Sequence, residues 1–172
     1  QMTDYVRKVC LDPEIAINEA VFQSEMSHIS RNRAIAYLLE SKGIIETDVE
    51  GSLELYTKMC SLNVTAESLS NFGMILATGG INPKTGERVI SGRTVAIIKT
   101  IMLTCGMYDG SGEFAVRVGI PTKSGVGGGI AAICPMRYSV AVWSPRLNSK
   151  GNSVMGMKAL EELTTITSES IF

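Results

Sequence analysis

The segment Lys123-Ser124-Gly125 has the residue types found along one edge of a serine-dependent hydrolytic site. On a strand, the lysine would supply positive charge and join a proton network, and its small neighbours would let a substrate lie close. Glycines continue at 127, 128 and 129, which removes side chains where a ligand could reach backbone N–H groups, as in an oxyanion hole. The alternative interpretation is a glycine-rich strand bend that another stretch of backbone approaches.

Tyr108 is a second candidate, because it follows a predicted helix that ends at Gly106 and precedes glycines at 110 and 112. A tyrosine in such a loop can present its hydroxyl to a cavity. It can pass protons if a neighbouring lysine lowers its pKa from about 10. The alternative is an aromatic anchor in a loop that caps the helix.

Glu25 and Asn32 form a third candidate pair around a predicted helix start. A carboxylate can pair with an ammonium group while an amide orients a polar group, so the two side chains suit a zwitterionic amino acid. The alternative is a solvated loop in which Ser30 or Asn32 caps the helix backbone. We interpret His28, which lies between them, as a surface residue.

Composition excludes several other classes of site. The chain has 16 basic and 17 acidic residues with no block of Lys or Arg, so we expect no nucleic-acid partner. No apolar run approaches the roughly 20 residues that span a bilayer, so we expect no membrane partner. A single histidine argues against a His-based metal cluster or a Ser-His-Asp triad. Thr122 stands where a phosphate-binding loop needs glycine before its Lys-Ser pair, which argues against a nucleotide.

Four cysteines lie mostly in apolar segments without CxxC spacing: Cys10, Cys60, Cys105 and Cys134. Because a disulfide framework and a zinc site both need closer or paired spacing, we predict reduced core thiols. Reduced thiols are typical of a cytoplasmic protein.

Periodicity and capping residues predict helices in the first half of the chain and at its end. A capping box is predicted at 47–50, with Thr47 as N-cap and Glu50 reaching back to it, and Thr65 is predicted to cap the following helix. Further helices are predicted at 31–42, 91–104 and about 152–165. The apolar residues up to Cys134, a short turn and a β-rich segment at 138–143 predict a hairpin. The expected fold class is therefore α/β or α+β.

The order of these motifs resembles the C-terminal portion of the serine-dependent glutaminases, a family with a β-lactamase-like fold. The resemblance runs across nearly all 172 residues. The segments that carry it are Ser24-Glu25, Arg31-Asn32, Leu55-Tyr56, Met59-Cys60-Ser61, Thr85-Gly86-Glu87-Arg88-Val89, Cys105-Gly106-Met107-Tyr108, Ser111-Gly112-Glu113-Phe114-Ala115, Lys123-Ser124-Gly125-Val126-Gly127-Gly128, Trp143-Ser144-Pro145 and Gly151-Asn152-Ser153. It implies the helical part, the hairpin and the closing helix of a β-lactamase or penicillin-binding-protein-like antiparallel sheet.

The resemblance also implies a reaction, the hydrolysis of L-glutamine to L-glutamate and ammonia through an acyl-serine intermediate, with no cofactor or metal. It implies that Tyr108 shuttles protons beside the nucleophile, that Val126 donates its backbone N–H to the oxyanion hole, and that Lys123 lies in the adjoining strand. The residues implied to line the glutamine pocket are Glu25, Asn32, Tyr56, Tyr108 and Val126. Among them, Glu25 would meet the α-ammonium group of the substrate.

The chain departs from this family in one respect. The family's nucleophile and base form a Ser-x-x-Lys pair, one helical turn apart, so that the lysine can take the serine proton. None of the eight lysines here has serine three residues before it. Apolar residues at 6 and 9 also suggest a helix already under way near the start. We therefore expect residues 1–172 to be a single, incomplete domain that lacks the nucleophile and is inactive alone.

Two other interpretations stay open from the sequence. One is another amidase or a β-lactam-binding protein on the same fold, and the other is a non-catalytic ligand-binding or interaction domain. The missing partner strands would leave sheet edges that another copy or another segment must cover, so we expect a homo-oligomer, a dimer or a tetramer.

Overall fold

Helices make up most of the first two thirds of the chain, and a small sheet follows them in the sequence. The structure, a computed structural model, describes all residues from 1 to 172. Its helices are α1 (Met2–Cys10), α2 (Glu19–Ser27), α3 (Ser30–Ser41), α4 (Val49–Cys60), α5 (Ala66–Ala77), α6 (Gly92–Cys105), α7 (Ser111–Arg117) and α8 (Val154–Thr167), with a 3₁₀ turn at Tyr108–Gly110. Its strands are β1 (Thr122–Ser124), β2 (Gly129–Cys134) and β3 (Tyr138–Trp143).

The chain divides into two compact units. The first comprises Gln1–Lys8 and Asp12–Val64, and the second comprises Val9–Leu11 and Thr65–Phe172. Each unit has its own buried cluster of apolar side chains, so each is described by itself.

In the first unit, α2, α3 and α4 pack around a small apolar core. Its buried members are Ile29, Ala36, Val49 and Leu53. Asp48 starts α4 by accepting a hydrogen bond from the Glu50 backbone N–H at 3.1 Å. The predicted capping box is therefore wrong by one residue, because Asp48 occupies the N-cap position in place of Thr47 and Glu50 pairs with Arg33 instead.

In the second unit, the three strands form one antiparallel sheet in the order β1-β2-β3. Alternate residues of β2 face opposite sides: Ile130 and Ala132 join the core beneath α7 and α8, whereas Ile133 lies towards α5. Helix α5 comes close to the sheet at Gly73, where an added Cβ would lie 2.8 Å from the Ser139 Cβ. Both faces of the sheet are thus covered by helices.

The mixed helix and sheet architecture confirms the predicted fold class, and the predicted hairpin is the β2–β3 pair. Thr65 was predicted as an N-cap and Ser91 as a helix start, and both side chains accept backbone hydrogen bonds at the N-termini of their helices. The sequence did not separate β1 from β2. A turn at residues 125–128 divides them, because the Gly128 N–H bonds back to the Gly125 carbonyl.

The prediction of four core thiols is correct for two cysteines and wrong for the other two. Cys10 and Cys134 are buried, whereas Cys60 and Cys105 are exposed, and all four are free. On α6 the buried positions are Val95 and Met102. Cys105 lies about 60° from Met102 around the helix axis and faces outwards, because three residues fall short of a full 3.6-residue turn.

A buried thiol ties the end of the chain to the hairpin. Cys134 is 4% exposed, and its Sγ donates a hydrogen bond to Glu169 Oε2 at 3.0 Å, while Arg137 pairs with the same carboxylate. Burial, followed by the hydrogen bond to Glu169, raises the pKa of Cys134 to about 11 from its ordinary value of 9.0. The folded chain therefore favours the neutral thiol.

We expect the free energy of unfolding to fall as the pH rises, because this thiol ionises more readily in the unfolded chain. Well below pH 9 the thiol is neutral in both states. As the pH rises from about 9 to 11 the unfolded thiol ionises before the folded one, which removes on the order of 2 kcal/mol. Chemical denaturation of the wild type and of Cys134→Ser from pH 8 to 11 measures this difference. The serine variant, which does not ionise there, should show the shallower loss; identical slopes would contradict the assignment.

Gly106 allows β1 to pack against the end of α6. A Cβ at this position would lie 1.7 Å from the Thr122 carbonyl oxygen and 2.2 Å from that of Met102. We expect Gly106→Ala to lower the free energy of unfolding by about 3 kcal/mol or more, since two backbone segments would have to separate. Gly112→Ala is the matched control, because nothing lies within 4 Å of its added Cβ. Denaturant midpoints of the two variants should differ clearly, and equal midpoints would refute this role.

Candidate active site

Tyr108 and Lys123, which the sequence singled out separately, lie together in the second unit. The Lys123 ammonium sits 4.8 Å from the centroid of the Tyr108 ring, in the geometry of a cation–π contact. The same ammonium also donates a hydrogen bond to the Ser124 carbonyl. Tyr108 is 41% exposed, so the residue is open to solvent beside a positive charge.

Tyr108 occupies a strained backbone conformation at the start of the 3₁₀ turn. Its φ is +53°, in the left-handed region, which costs a non-glycine residue about 1–2 kcal/mol. Ser111 holds this conformation locally: its Oγ accepts from the Met107 N–H at 3.0 Å and donates to the Tyr108 carbonyl at 2.8 Å. The surrounding hydrogen bonds thus aim the tyrosine side chain in one direction.

Val126 stands at the second position of the turn between β1 and β2. The turn closes through the Gly128 N–H and the Gly125 carbonyl at 3.0 Å, and the Val126 amide donates no hydrogen bond within the chain. This N–H group is therefore available to an acceptor from outside, as an oxyanion hole requires.

The end of β3 fixes that turn from one side. The Trp143 indole N–H donates to the Gly127 carbonyl at 2.9 Å, and the Ser144 N–H donates to the Gly128 carbonyl at 3.1 Å. These two bonds restrict the orientation of the Val126 N–H. From the sequence, Trp143 was only the last residue of the β-rich segment at 138–143 and a member of the family resemblance.

Gly151 brings Tyr108 and Val126 together. An added Cβ there would lie 3.6 Å from Tyr108 Cε2 and 3.6 Å from Val126 Cγ1. The phenol and the turn therefore meet the same glycine, and with Lys123 they form one cluster. We call Tyr108, Lys123 and Val126 the tyrosine–turn cluster.

A buried polar contact lies behind this cluster. Ser124 Oγ donates to Asn152 Oδ1 at 2.5 Å, and both side chains are buried. No local pattern in the sequence points to a function for Gly151 or Asn152. Their only signal was the Gly151-Asn152-Ser153 segment among those that carry the resemblance.

Asn32 and Tyr56, in the first unit, line a common pocket between α3 and α4. The pocket has a volume of about 350 Å³, and apolar side chains such as Ile35 and Leu53 form most of its wall. Glu25 lies near the end of α2 with its side chain exposed, and its carbonyl accepts from the His28 N–H. The structure thus brings Asn32 and Tyr56 together and leaves the Glu25 carboxylate open to solvent.

Other candidate chemistries have no corresponding group of residues. His28 is exposed and its Nδ1 lies 2.9 Å from both the Ser27 Oγ and the Ser24 carbonyl, as expected for a surface residue. No group of three or more His, Cys, Asp or Glu side chains is arranged to hold a metal ion. No helix has both the length and the apolar character needed to cross a membrane.

Comparison with known proteins gives consistent results. The family described as Glutaminase matches residues 1–172. Glutaminase 2 of Clostridium perfringens (strain 13 / Type A) and a glutaminase of Clostridioides difficile (strain 630) are each 48% identical over 172 residues, 100% of this chain. The alignment covers 56% of either relative, so the chain spans about half the length of the curated relatives that it matches.

Solved structures show the same likeness in three dimensions. The Bacillus subtilis glutaminase YbgJ, in covalent complex with 5-oxo-L-norleucine formed by reaction with 6-diazo-5-oxo-L-norleucine, superposes with a TM-score of 0.94 at 36% identity. The match covers 99% of this chain and 61% of that one. A Bacillus glutaminase determined in 4.3 M NaCl gives a TM-score of 0.92 at 36% identity, covering 99% of this chain and 59% of the other.

Proposed function

Since the chain belongs to the glutaminase family, we propose that it supplies part of the active site of an L-glutaminase, an amidohydrolase that converts L-glutamine to L-glutamate and ammonia. The observation that carries this proposal is the tyrosine–turn cluster. It places a phenol beside a lysine ammonium and brings the same tyrosine, at Gly151, next to the turn whose Val126 N–H is free. These are the groups that acyl transfer to and from a serine requires.

In the proposed reaction, a serine hydroxyl attacks the side-chain carboxamide carbon of glutamine. The Val126 N–H stabilises the negative charge that forms on the carbonyl oxygen. The lysine of the Ser-x-x-Lys pair takes the serine proton, and Tyr108 relays it to the amide nitrogen, so that ammonia leaves and a glutamyl ester remains. Water then cleaves the ester and releases glutamate. The Lys123 ammonium stabilises the negative charge that develops on the Tyr108 oxygen during these proton transfers.

The first unit is proposed to supply the recognition of the amino acid. The exposed Glu25 carboxylate would pair with the α-ammonium group, while Asn32 and Tyr56 provide polar atoms in the wall of an otherwise apolar pocket. The B. subtilis complex supports a substrate of this shape, because 5-oxo-L-norleucine carries a methyl group where glutamine carries its amide nitrogen. That compound is held covalently, as a nucleophilic mechanism requires.

The nucleophile is proposed to lie outside these 172 residues. No lysine here follows a serine at the Ser-x-x-Lys spacing, and the relatives are longer than this chain. Residues 1–172 would then form an incomplete part of one catalytic domain, inactive alone.

A cytoplasmic location and assembly as a homo-oligomer, a dimer or a tetramer, complete the proposal. Four free cysteines support a reducing compartment. The outer edge of β3 has no strand partner within the chain, which supports pairing with further polypeptide.

The deciding experiment measures ammonia release from L-glutamine. It compares this chain with an extended protein, meaning the chain lengthened upstream to the length of the curated relatives. We expect activity only in the extended protein, with L-asparagine and a penicillin as comparison substrates. Activity in the short chain would place the nucleophile within residues 1–172. No ammonia release by either protein would favour a non-catalytic domain.

A further inference from the structure

A single buried side-chain amide, that of Asn152, connects the two backbone segments that carry Tyr108 and Val126. Asn152 is 1% exposed and precedes α8, far along the chain from both segments. Its Nδ2 donates to the Met107 carbonyl at 3.0 Å, and Met107 directly precedes Tyr108. Its Oδ1 accepts from the Ser124 hydroxyl at 2.5 Å, and Ser124 is two residues before Val126.

The two segments also meet each other directly, which completes a closed ring of hydrogen bonds. The Ser124 N–H donates to the Gly106 carbonyl at 3.0 Å. The ring therefore runs from Asn152 to Met107, back one residue to Gly106, across to Ser124 and back to Asn152. A displacement at either end changes the geometry of the other.

Asn152 is itself held in place by its own backbone. Its N–H donates to Asn148 Oδ1 at 3.0 Å, and its carbonyl accepts from the Asn148 N–H at 2.8 Å. The next residue, Ser153, caps α8 by accepting from the Gly156 N–H at 3.1 Å. The amide thus projects from a rigid start of a helix into the ring.

The left-handed conformation of Tyr108 makes such support necessary. A strained φ persists only where neighbouring contacts determine the backbone position, and the Met107 carbonyl is the last acceptor before the strained residue. That carbonyl accepts from Asn152 and from the Gly110 N–H, itself part of the turn. Asn152 is therefore the side chain that ties the Met107 carbonyl, next to the strained residue, to the start of α8.

We propose that Asn152 is a positioning residue, which sets the phenol of Tyr108 against the backbone N–H of Val126 without touching the substrate. A neutral amide suits this point, because its nitrogen donates to a carbonyl while its oxygen accepts from a hydroxyl. The catalytic meaning of this placement rests on the proposed function. The coupling between the Tyr108 and Val126 segments is independent of the proposed function.

The first test follows the positions of the groups themselves by NMR. In Asn152→Asp the carboxylate keeps the acceptor for Ser124 but cannot donate to the Met107 carbonyl. We expect shifted resonances for the Tyr108 ring, for the Val126 amide and for the Lys123 side chain, which the ring current of Tyr108 shields. Tyr108→Phe assigns the ring signals among the five tyrosines.

Asn82→Asp is the matched control, since Asn82 is also a buried asparagine of the second unit but caps the separate turn at 82–86 through the Lys84 N–H. It should leave those three sets of signals in place. If Asn152→Asp fails to fold, Ser124→Ala removes the other end of the ring and should move the same signals. A folded variant of either residue with unchanged Tyr108 and Val126 signals would overturn the proposal.

The second test uses glutamine hydrolysis by the extended protein. We expect Asn152→Asp to lower kcat about 100-fold, with KM for glutamine changed less than about threefold, since the substrate is not contacted. Adding Asn152→Asp to Tyr108→Phe should cost little more than Tyr108→Phe alone. Fully additive losses would refute the positioning role. If the unmodified extended protein does not hydrolyse glutamine, the proposed function fails, and the NMR test alone decides the role of Asn152.

Discussion

Replacing Tyr108 with phenylalanine should lower kcat for glutamine hydrolysis in the extended protein by 100-fold or more, since a positioned acid–base group contributes roughly 10²- to 10⁴-fold. Phenylalanine keeps the ring beneath the Lys123 ammonium and the packing against Gly151, and it removes only the hydroxyl. The folded structure should therefore survive while proton transfer fails. Steady-state ammonia release at saturating glutamine measures the effect.

Tyr138→Phe is the matched control for this substitution. Tyr138 is the first residue of β3 and is not part of the tyrosine–turn cluster. Its hydroxyl is buried without a hydrogen-bond partner. Removing it should leave kcat unchanged and raise the free energy of unfolding by up to about 1 kcal/mol, because an unsatisfied buried hydroxyl is costly. A Tyr108→Phe enzyme within threefold of wild type would exclude Tyr108 from proton transfer.

The second large effect is expected at the turn that carries Val126. Because a side-chain substitution cannot remove a backbone N–H, the turn itself must be displaced. Gly128 has φ +92°, and an added Cβ would lie 2.7 Å from the Ser144 carbonyl oxygen and 3.4 Å from the Trp143 indole nitrogen. Gly128→Ala should push the turn away from β3, break its bonds to Trp143 and Ser144, and move the Val126 N–H. We expect a loss of about 100- to 1000-fold in kcat, the range for losing one oxyanion donor.

Gly127→Ala provides a close control, because an added Cβ one residue earlier meets nothing within 4 Å. It should retain activity within a fewfold of wild type. Trp143 is the only tryptophan, so its fluorescence reports directly on the turn. The emission should change in Gly128→Ala and stay constant in Gly127→Ala. Full activity with unchanged emission in Gly128→Ala would show that the turn tolerates the side chain and that our account of it is wrong.

The sequence by itself determined the features that depend on a few neighbouring residues. The cap at Thr65, the helix start at Ser91 and the β2–β3 hairpin were predicted, because each signal lies within one turn or one strand pair. The family resemblance extended this to the fold as a whole. The resemblance also named all three members of the tyrosine–turn cluster, but local patterns could not show that they adjoin.

Only the tertiary structure decided which residues hold that cluster together. The Asn152 amide reaches Ser124 across 28 residues of sequence and the Met107 carbonyl across 45. The tertiary structure also decided that Cys105 faces solvent while Cys134 is buried against the end of the chain. Such contacts follow from how α6, β1 and α8 pack, and no local periodicity encodes a distance between residues so far apart. The roles of Gly151 and Asn152 became visible only once packing had placed both beside the Tyr108 and Val126 segments.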